Sequence, residues 1–197
     1  GSQFAYVTQD QNPRKKQIAE HLDVFEVGDN DYLHTSDSMP GHVWLTSASG
    51  GKARRLTSGA WSLETIDPTV TSDLTWSPDG TKIAFVHFPT PLIGDSLGSV
   101  IEIADARTGR RSRLTGNAGL EGLPAFAPAG NLIAYSHNTN GDPTNGNSIY
   151  VTHTGGGAGV NVRAKVDRNI DGYAWAPNGK SLWLFGPDGE HTSAWYV

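Results

Sequence analysis

"LTWSPDGTKIAFVH", residues 74–87, decides the fold, because the chain returns to it twice. It recurs as "PAFAPAGNLIAYSH" at 124–137 and as "YAWAPNGKSLWLFG" at 173–186. Pro78, Pro128 and Pro177 stand 50 and 49 residues apart, and Gly80, Gly130 and Gly179 keep the same steps. Self-similarity at a fixed period marks a repeat architecture. Each copy predicts strand, turn, strand. Proline presets φ for the turn, Asp79, Ala129 or Asn178 sits at its centre, and glycine supplies a positive φ. Asp and Asn can also bond the local backbone, an option Ala129 lacks. Apolar residues then alternate at strand period: Ile83 and Phe85, Ile133 and Tyr135, Leu182 and Leu184.

A second module follows the first. "HVWLTSASGGKARRLT" (42–57) and "SVIEIADARTGRRSRLT" (99–115) read as strand, glycine-bearing turn, strand, and both close on Arg-Leu-Thr. "NSIYVTHTGGGAGVNVR" (147–163) is a looser third copy. Four strands per repeat is the arithmetic of a β-propeller blade. The expected fold is therefore all-β: a β-propeller fragment of three to four blades, each a four-stranded antiparallel sheet, forming an incomplete circle. Blade one is expected over 3–57, with "FAYVTQ" (4–9) as its second strand and an insertion at 10–41 that holds a short helix. Blade two is expected at about 73–115 and blade three at about 122–165. Blade four should begin near 171 and stop at Val197 within its third strand. Exposed strand edges seek partners, so self-association through the open edges, or pairing with a missing propeller half, is expected.

Composition narrows the function classes. The net charge of −5, from 15 basic and 20 acidic residues, argues against a nucleic-acid binder. The absence of cysteine excludes disulfides, thiolate metal sites and a cysteine nucleophile. No apolar run approaches the ~20 residues of a membrane span. Gly1-Ser2 reads as a cloning scar, so a signal peptide would already be gone. Compartment stays open, with a periplasmic or secreted setting favoured over a cytoplasmic one.

"TWSPDGTKIAFV" resembles the blade motif of TolB-type propellers and of the N-terminal propellers of the prolyl oligopeptidase family of serine peptidases. The flanks "HLDVFEVGDNDYL" (21–33), "HVWLTSASGGKARRLTSGAWSLE" (42–64), "IADARTG" (103–109) and the stretch 166–197 resemble bacterial dipeptidyl- and acylaminoacyl-peptidase-like members. Ala129 and Asn178 depart from the turn Asp of that motif. The resemblance implies the first half of a propeller that caps a C-terminal α/β-hydrolase domain. That domain carries a Ser-Asp-His triad and forms an acyl-enzyme; the propeller admits peptides and excludes folded proteins. This chain would then be a non-catalytic portion, with peptide substrate, the missing half and the hydrolase domain as partners. The alternative is a TolB-like interaction scaffold without a hydrolase, and a third reading is a propeller-based polysaccharide lyase.

No catalytic, cofactor-binding or metal-binding residue is assigned. "GDSLG" (94–98) spells the G-x-S-x-G of a nucleophile elbow at Ser96, but an elbow needs a strand before it and a helix after it. "HFPTPLI" precedes Ser96 and the strand-like "SVIEIADA" follows, so a Gly/Ser/Asp loop is expected. His87 and His137 share a repeat position without the convergent ligands a metal wants. The resemblance implies that acidic propeller side chains can pair with a peptide's α-ammonium, and Glu26, Asp29, Asp31 and Glu121 are the acidic residues to test for it. "GGGAG" (155–159) lacks a dinucleotide fingerprint, and "RKK" (14–16) is too short for a nucleic-acid patch. Trp61 sits in a connector about eight residues longer than its blade-three counterpart, expected to pack on the 10–41 insertion or to mark a domain-facing surface. Trp44, Trp76, Trp175 and Trp183 are expected in core or inter-blade packing.

Overall fold

The structure is a computed structural model that describes residues 1–22, 24–25, 37–65, 72–162, 166 and 168–197. Its strands form four antiparallel sheets, and the chain divides into two compact units. The first comprises Gly1–Ser72 and His87–Gly98, the second Asp73–Val86 and Ser99–Val197.

In the first unit, β1 (Gln3–Gln9) pairs along its length with β2 (Gly41–Ser47), and β2 pairs with the short β3 (Arg54–Arg55). The five-residue helix α1 (Lys15–Ala19) buries nothing. Arg55 holds the Asp10 carboxylate at 2.9 Å, which ties the end of β1 to β3. Ser62 exchanges backbone hydrogen bonds with Phe88 at 3.0 and 2.9 Å, so the 61–65 segment runs as an edge against the start of the 87–98 stretch.

The second unit carries the repeats. β4 (Thr75–Trp76), β5 (Lys82–His87), β6 (Val100–Asp105) and β7 (Arg111–Arg113) form one sheet in sequence order. Its neighbour is β8 (Glu121–Phe126), β9 (Leu132–Asn138), β10 (Asn147–His153) and β11 (Val160–Asn161). The last sheet has three strands, β12 (Gly172–Trp175), β13 (Leu182–Asp188) and β14 (His191–Tyr196). The alternating positions build two cores. One gathers Ile101, Ile103 and Leu114 with Phe126, Ile133 and Tyr135; the other gathers Ala134 and Ile149 with Ile170, Leu182 and Leu184. Each core joins consecutive sheets of this unit, so none of these three sheets buries its apolar face alone.

The repeated turn also mediates sheet stacking. Gly80, Gly130 and Gly179 have φ of 69°, 77° and 63°, the left-handed region that glycine enters without penalty. A Cβ on Gly130 would sit 3.4 Å from Pro78, and one on Gly179 would sit 3.5 Å from Pro128. The proline of one turn therefore rests against the glycine of the next. Side chains on β12 add polar contacts. The Trp175 indole donates to the Ala125 carbonyl at 2.9 Å, and the Tyr173 hydroxyl donates to the carbonyls of Leu123 and Ala134. The Leu123 carbonyl is available because β8 bulges between Gly122 and Ala125, with Leu123 at φ 50°. Burial, and then the Asp73 carboxylate, push the Tyr173 phenol far above its ordinary pKa.

Trp183 corrects its expected place. It is 42% exposed and leans on Tyr196 with ring centroids 4.9 Å apart, while Leu182 and Leu184 on either side are buried. Strand alternation sends Trp183 to the outer face. Trp175 packs against the second core, as expected.

Asp79 shows what the turn carboxylate does. It accepts from the Ser77 hydroxyl at 2.6 Å, the Thr81 amide at 3.0 Å and the Thr81 hydroxyl at 2.9 Å. These bonds, Ser77 first, hold its pKa at about 2 against an ordinary 3.8. A carboxyl whose folded pKa is depressed stabilises above its unfolded value and loses that contribution as pH falls through the folded one. Asp79→Ala should thus lower the melting temperature by a few degrees at neutral pH. The gap to the unsubstituted chain should close between pH 4 and pH 2, followed by thermal melts across that window. A gap independent of pH would contradict the assignment.

Candidate functional site

Ser96 lies in the connection between β5 and β6, where Ile93–Gly98 form a 3-10 helix. The local bonds explain the helical turn: the Asp95 amide donates to the Leu92 carbonyl, the Asp95 carboxylate accepts from the Thr90 hydroxyl at 2.6 Å, and that hydroxyl receives the Leu92 amide. β5 ends at His87, well before Ser96, and β6 follows directly. A strand thus stands where an elbow requires a helix. Among the described residues no histidine is hydrogen-bonded to Ser96.

A hydroxyl–imidazole–carboxylate line does exist elsewhere in the first unit. Thr57 Oγ1 is 3.3 Å from His42 Nδ1, and His42 Nε2 is 3.9 Å from the Asp10 carboxylate. Its chemistry is structural. Thr57 Oγ1 already receives the Val43 amide at 2.9 Å, which leaves its proton for His42 Nδ1. The Gly59 carbonyl, 3.1 Å from His42 Nε2, can only accept, so that contact calls for a proton on Nε2. His42 is 0% exposed and Thr57 is buried, so no substrate carbonyl reaches either.

Trp61 caps this line. It meets His42 edge-on at 5.0 Å and stacks on His87 at 4.5 Å, and its indole donates to the Ser58 carbonyl at 2.9 Å. The longer connector is thus anchored by burial of Trp61 between two histidines. His137 is buried as well, with Nδ1 3.3 Å from the Leu120 carbonyl and its ring against Tyr150. Among the described residues no group of three His, Asp or Glu side chains converges as a metal site. Nor is any helix among them long and apolar enough to cross a membrane.

Of the four acidic residues, Glu26, Asp29 and Asp31 lie outside the described residues. Glu121 is described, and it is buried at the start of β8 with three donors on its carboxylate: the Ile101 amide at 2.8 Å, the Asn117 side-chain amide at 2.8 Å and the Thr115 hydroxyl. The same carboxylate, after burial itself, raises the nearby Tyr135 phenol to about 12. With three donors on a carboxylate that is only 2% exposed, Glu121 has no open face for a peptide ammonium.

Two clefts among the described residues open on the turn edge of the second unit. One cleft of about 450 Å³ is rimmed by Lys82, Arg107, Arg110 and Arg111. Another of about 280 Å³ is lined by Leu132, Val151, Val160, Trp175 and Leu182. Sequence reasoning singled out neither. The run "RTGRRSR" at 107–113 was the available signal for the first.

No protein-family model matches the chain. Among curated proteins it is similar to dipeptidyl-peptidase 5 of Porphyromonas gingivalis, with 29% identity over 129 residues. That alignment takes in 64% of this chain and 19% of the relative, so the chain spans about a fifth of the relative's length. Among solved structures it superposes on a TolB-type protein from Agrobacterium tumefaciens with a TM-score of 0.56 at 18% identity, covering 80% of this chain and 53% of the other. A prolyl endopeptidase structure gives a TM-score of 0.56 at 17% identity, covering 81% and 25%. These likenesses establish the fold: the chain is part of a β-propeller.

Proposed function

We propose that this chain is the propeller portion of a serine peptidase, where it restricts peptide access to an α/β-hydrolase domain and docks on it. The observation that carries this reading is the 129-residue similarity to dipeptidyl-peptidase 5, a relative far longer than this chain. The burial of His42 and Thr57, and the setting of Ser96 in a 3-10 turn ahead of a strand, support a portion without chemistry of its own. Fold alone does not give function, so the test is enzymatic. The purified chain should not turn over fluorogenic dipeptide or acyl-peptide substrates. Ser96→Ala in the parent enzyme should leave its kcat/KM unchanged. Removing the propeller from the parent should let folded proteins be cut as well as peptides. Turnover by the chain alone, abolished by Ser96→Ala, would overturn the proposal.

A scaffold without hydrolase activity is the second reading, and the superposition on the TolB-type protein favours it as far as fold goes. A parent reading frame that ends soon after the last sheet would select it. One that continues into a strand–G-x-S-x-G–helix pattern would select the peptidase.

A further inference from the structure

These two clefts occupy the same place in successive repeats but have opposite chemistry. Lys82 and Leu132 each stand four residues after the turn proline. Ile103 pairs with Ser112 across β6 and β7, and Val151 pairs with Val160 across β10 and β11. Lys82, Ile103 and Ser112 line the first cleft; Leu132, Val151 and Val160, their repeat equivalents, line the second. Thr154, just past β10, closes the first cleft, while Val151 on the same strand faces the second. One hairpin thus separates a cationic cleft from an apolar one.

The cationic cleft is concentrated. Four of the chain's nine arginines fall in 107–113, although the chain as a whole carries a net charge of −5. Arg111 is paired with Glu102. Asp105, the acid within the cleft, spends its carboxylate on the Arg107 and Thr108 amides and the Thr108 hydroxyl, which also lowers its pKa. Lys82, Arg107 and Arg110 make no salt bridge at contact distance among the described residues, though Lys82 attracts Asp79 and Arg107 attracts Asp105 through space, and all three are exposed. Guanidinium groups favour planar anions such as carboxylates. At the apolar cleft Val160 is 70% exposed, beside Leu132 and Val162. Asn161, Ser181 and Thr154 stand on the rims and can bond backbone amides.

We propose that this edge docks an extended peptide segment in which an acidic side chain is followed closely by aliphatic ones. The carboxylate meets Arg107, Arg110 and Lys82, and the aliphatic side chains enter the cleft beside Val160. Charge complementarity selects the first half of such a segment and apolar burial the second. The proposal does not depend on the peptidase reading.

Fluorescence anisotropy on the 197-residue chain tests it with three labelled probes. One is a hexapeptide with two glutamates followed by two leucines, one the same peptide with serines for the leucines, and one a twelve-carbon fatty acid. The Glu-Leu peptide should bind, with the serine version about tenfold weaker. Arg107→Glu combined with Arg110→Glu should weaken binding at least about tenfold, and Val160→Asp by a similar factor. These positions are exposed, and unchanged circular dichroism and melting temperature will exclude unfolding. Equal binding of the serine peptide would mean a plain anion site and overturn the proposal. So would binding of the fatty acid alone, no binding of any probe at millimolar concentration, or full affinity in both variants.

Discussion

Glu121→Gln should lower the stability of the folded chain by about 3 kcal/mol, and Glu121→Ala by at least as much. A buried donor left without its acceptor costs ~1–3 kcal/mol, more when the lost acceptor was charged. Glu121 is 2% exposed and serves three such donors, the Ile101 amide, the Asn117 amide and the Thr115 hydroxyl. Its own amide donates to the Ser99 carbonyl at 3.1 Å. The residue therefore joins the start of β8 to the start of β6 and to the segment after β7. Glutamine keeps one oxygen but turns its NH₂ toward a donor that needs an acceptor. Alanine abandons all three donors. Thermal or urea unfolding reads the loss. In a chain of this size ~1 kcal/mol moves the midpoint by about 2–4 °C, so a fall of roughly 10 °C is expected. A variant that melts with the unsubstituted chain, yet loses affinity for peptides with a free N-terminus, would restore Glu121 as an ammonium-binding residue.

The contrast between Glu121 and the turn residues shows what the sequence could convey. Pro78, Gly80 and their repeats announce themselves because φ restriction and positive φ are local demands met by two residue types. The sheets, their order and their inward positions follow from those marks and from alternation. Glu121 makes a tertiary demand. In "LEGLP" it reads as a connector acid, and nothing local says that it will be covered. The one sequence trace is the repeated Arg-Leu-Thr. Thr57 takes the Val43 amide directly at 2.9 Å, whereas in the next sheet the corresponding Ile101 amide goes to Glu121, which holds Thr115. Two identical tripeptides thus solve the same backbone problem with and without a carboxylate between. Trp61 was hidden in the same way: its length of connector was visible, but the two histidines that receive it, His42 and His87, lie 19 and 26 residues away in sequence.

Gly186 carries the other large expected effect, and it runs against the repeat. In the three copies of the opening motif its position is held by His87, His137 and Gly186. A consensus argument would restore histidine there. His137 is accommodated because its ring finds room next to the Leu120 carbonyl. At Gly186 the connector takes that room. A Cβ would overlap the Asn169 carbonyl oxygen and stand 3.1 Å from the Asn169 carbonyl carbon and 3.3 Å from Ile170 Cα. The connector cannot step back cheaply. Ile170 is buried in the second core, and the Asp171 amide donates to the Phe185 carbonyl at 2.8 Å. Relieving the overlap means drawing Ile170 out or breaking that bond. Overpacking of this kind costs ~1–3 kcal/mol and more where backbone must move. Gly186→Ala should therefore destabilise by about 3 kcal/mol, and Gly186→His by more, despite matching the other repeats. The backbone φ at Gly186 is not among the positive ones, so the penalty is one of space and not of conformation. That distinction is measurable: Gly189→Ala, at φ 65° with nothing within 4 Å of its Cβ, should cost only about 1 kcal/mol. If Gly186→Ala unfolds no more easily than Gly189→Ala, the connector does not pass where the structure puts it.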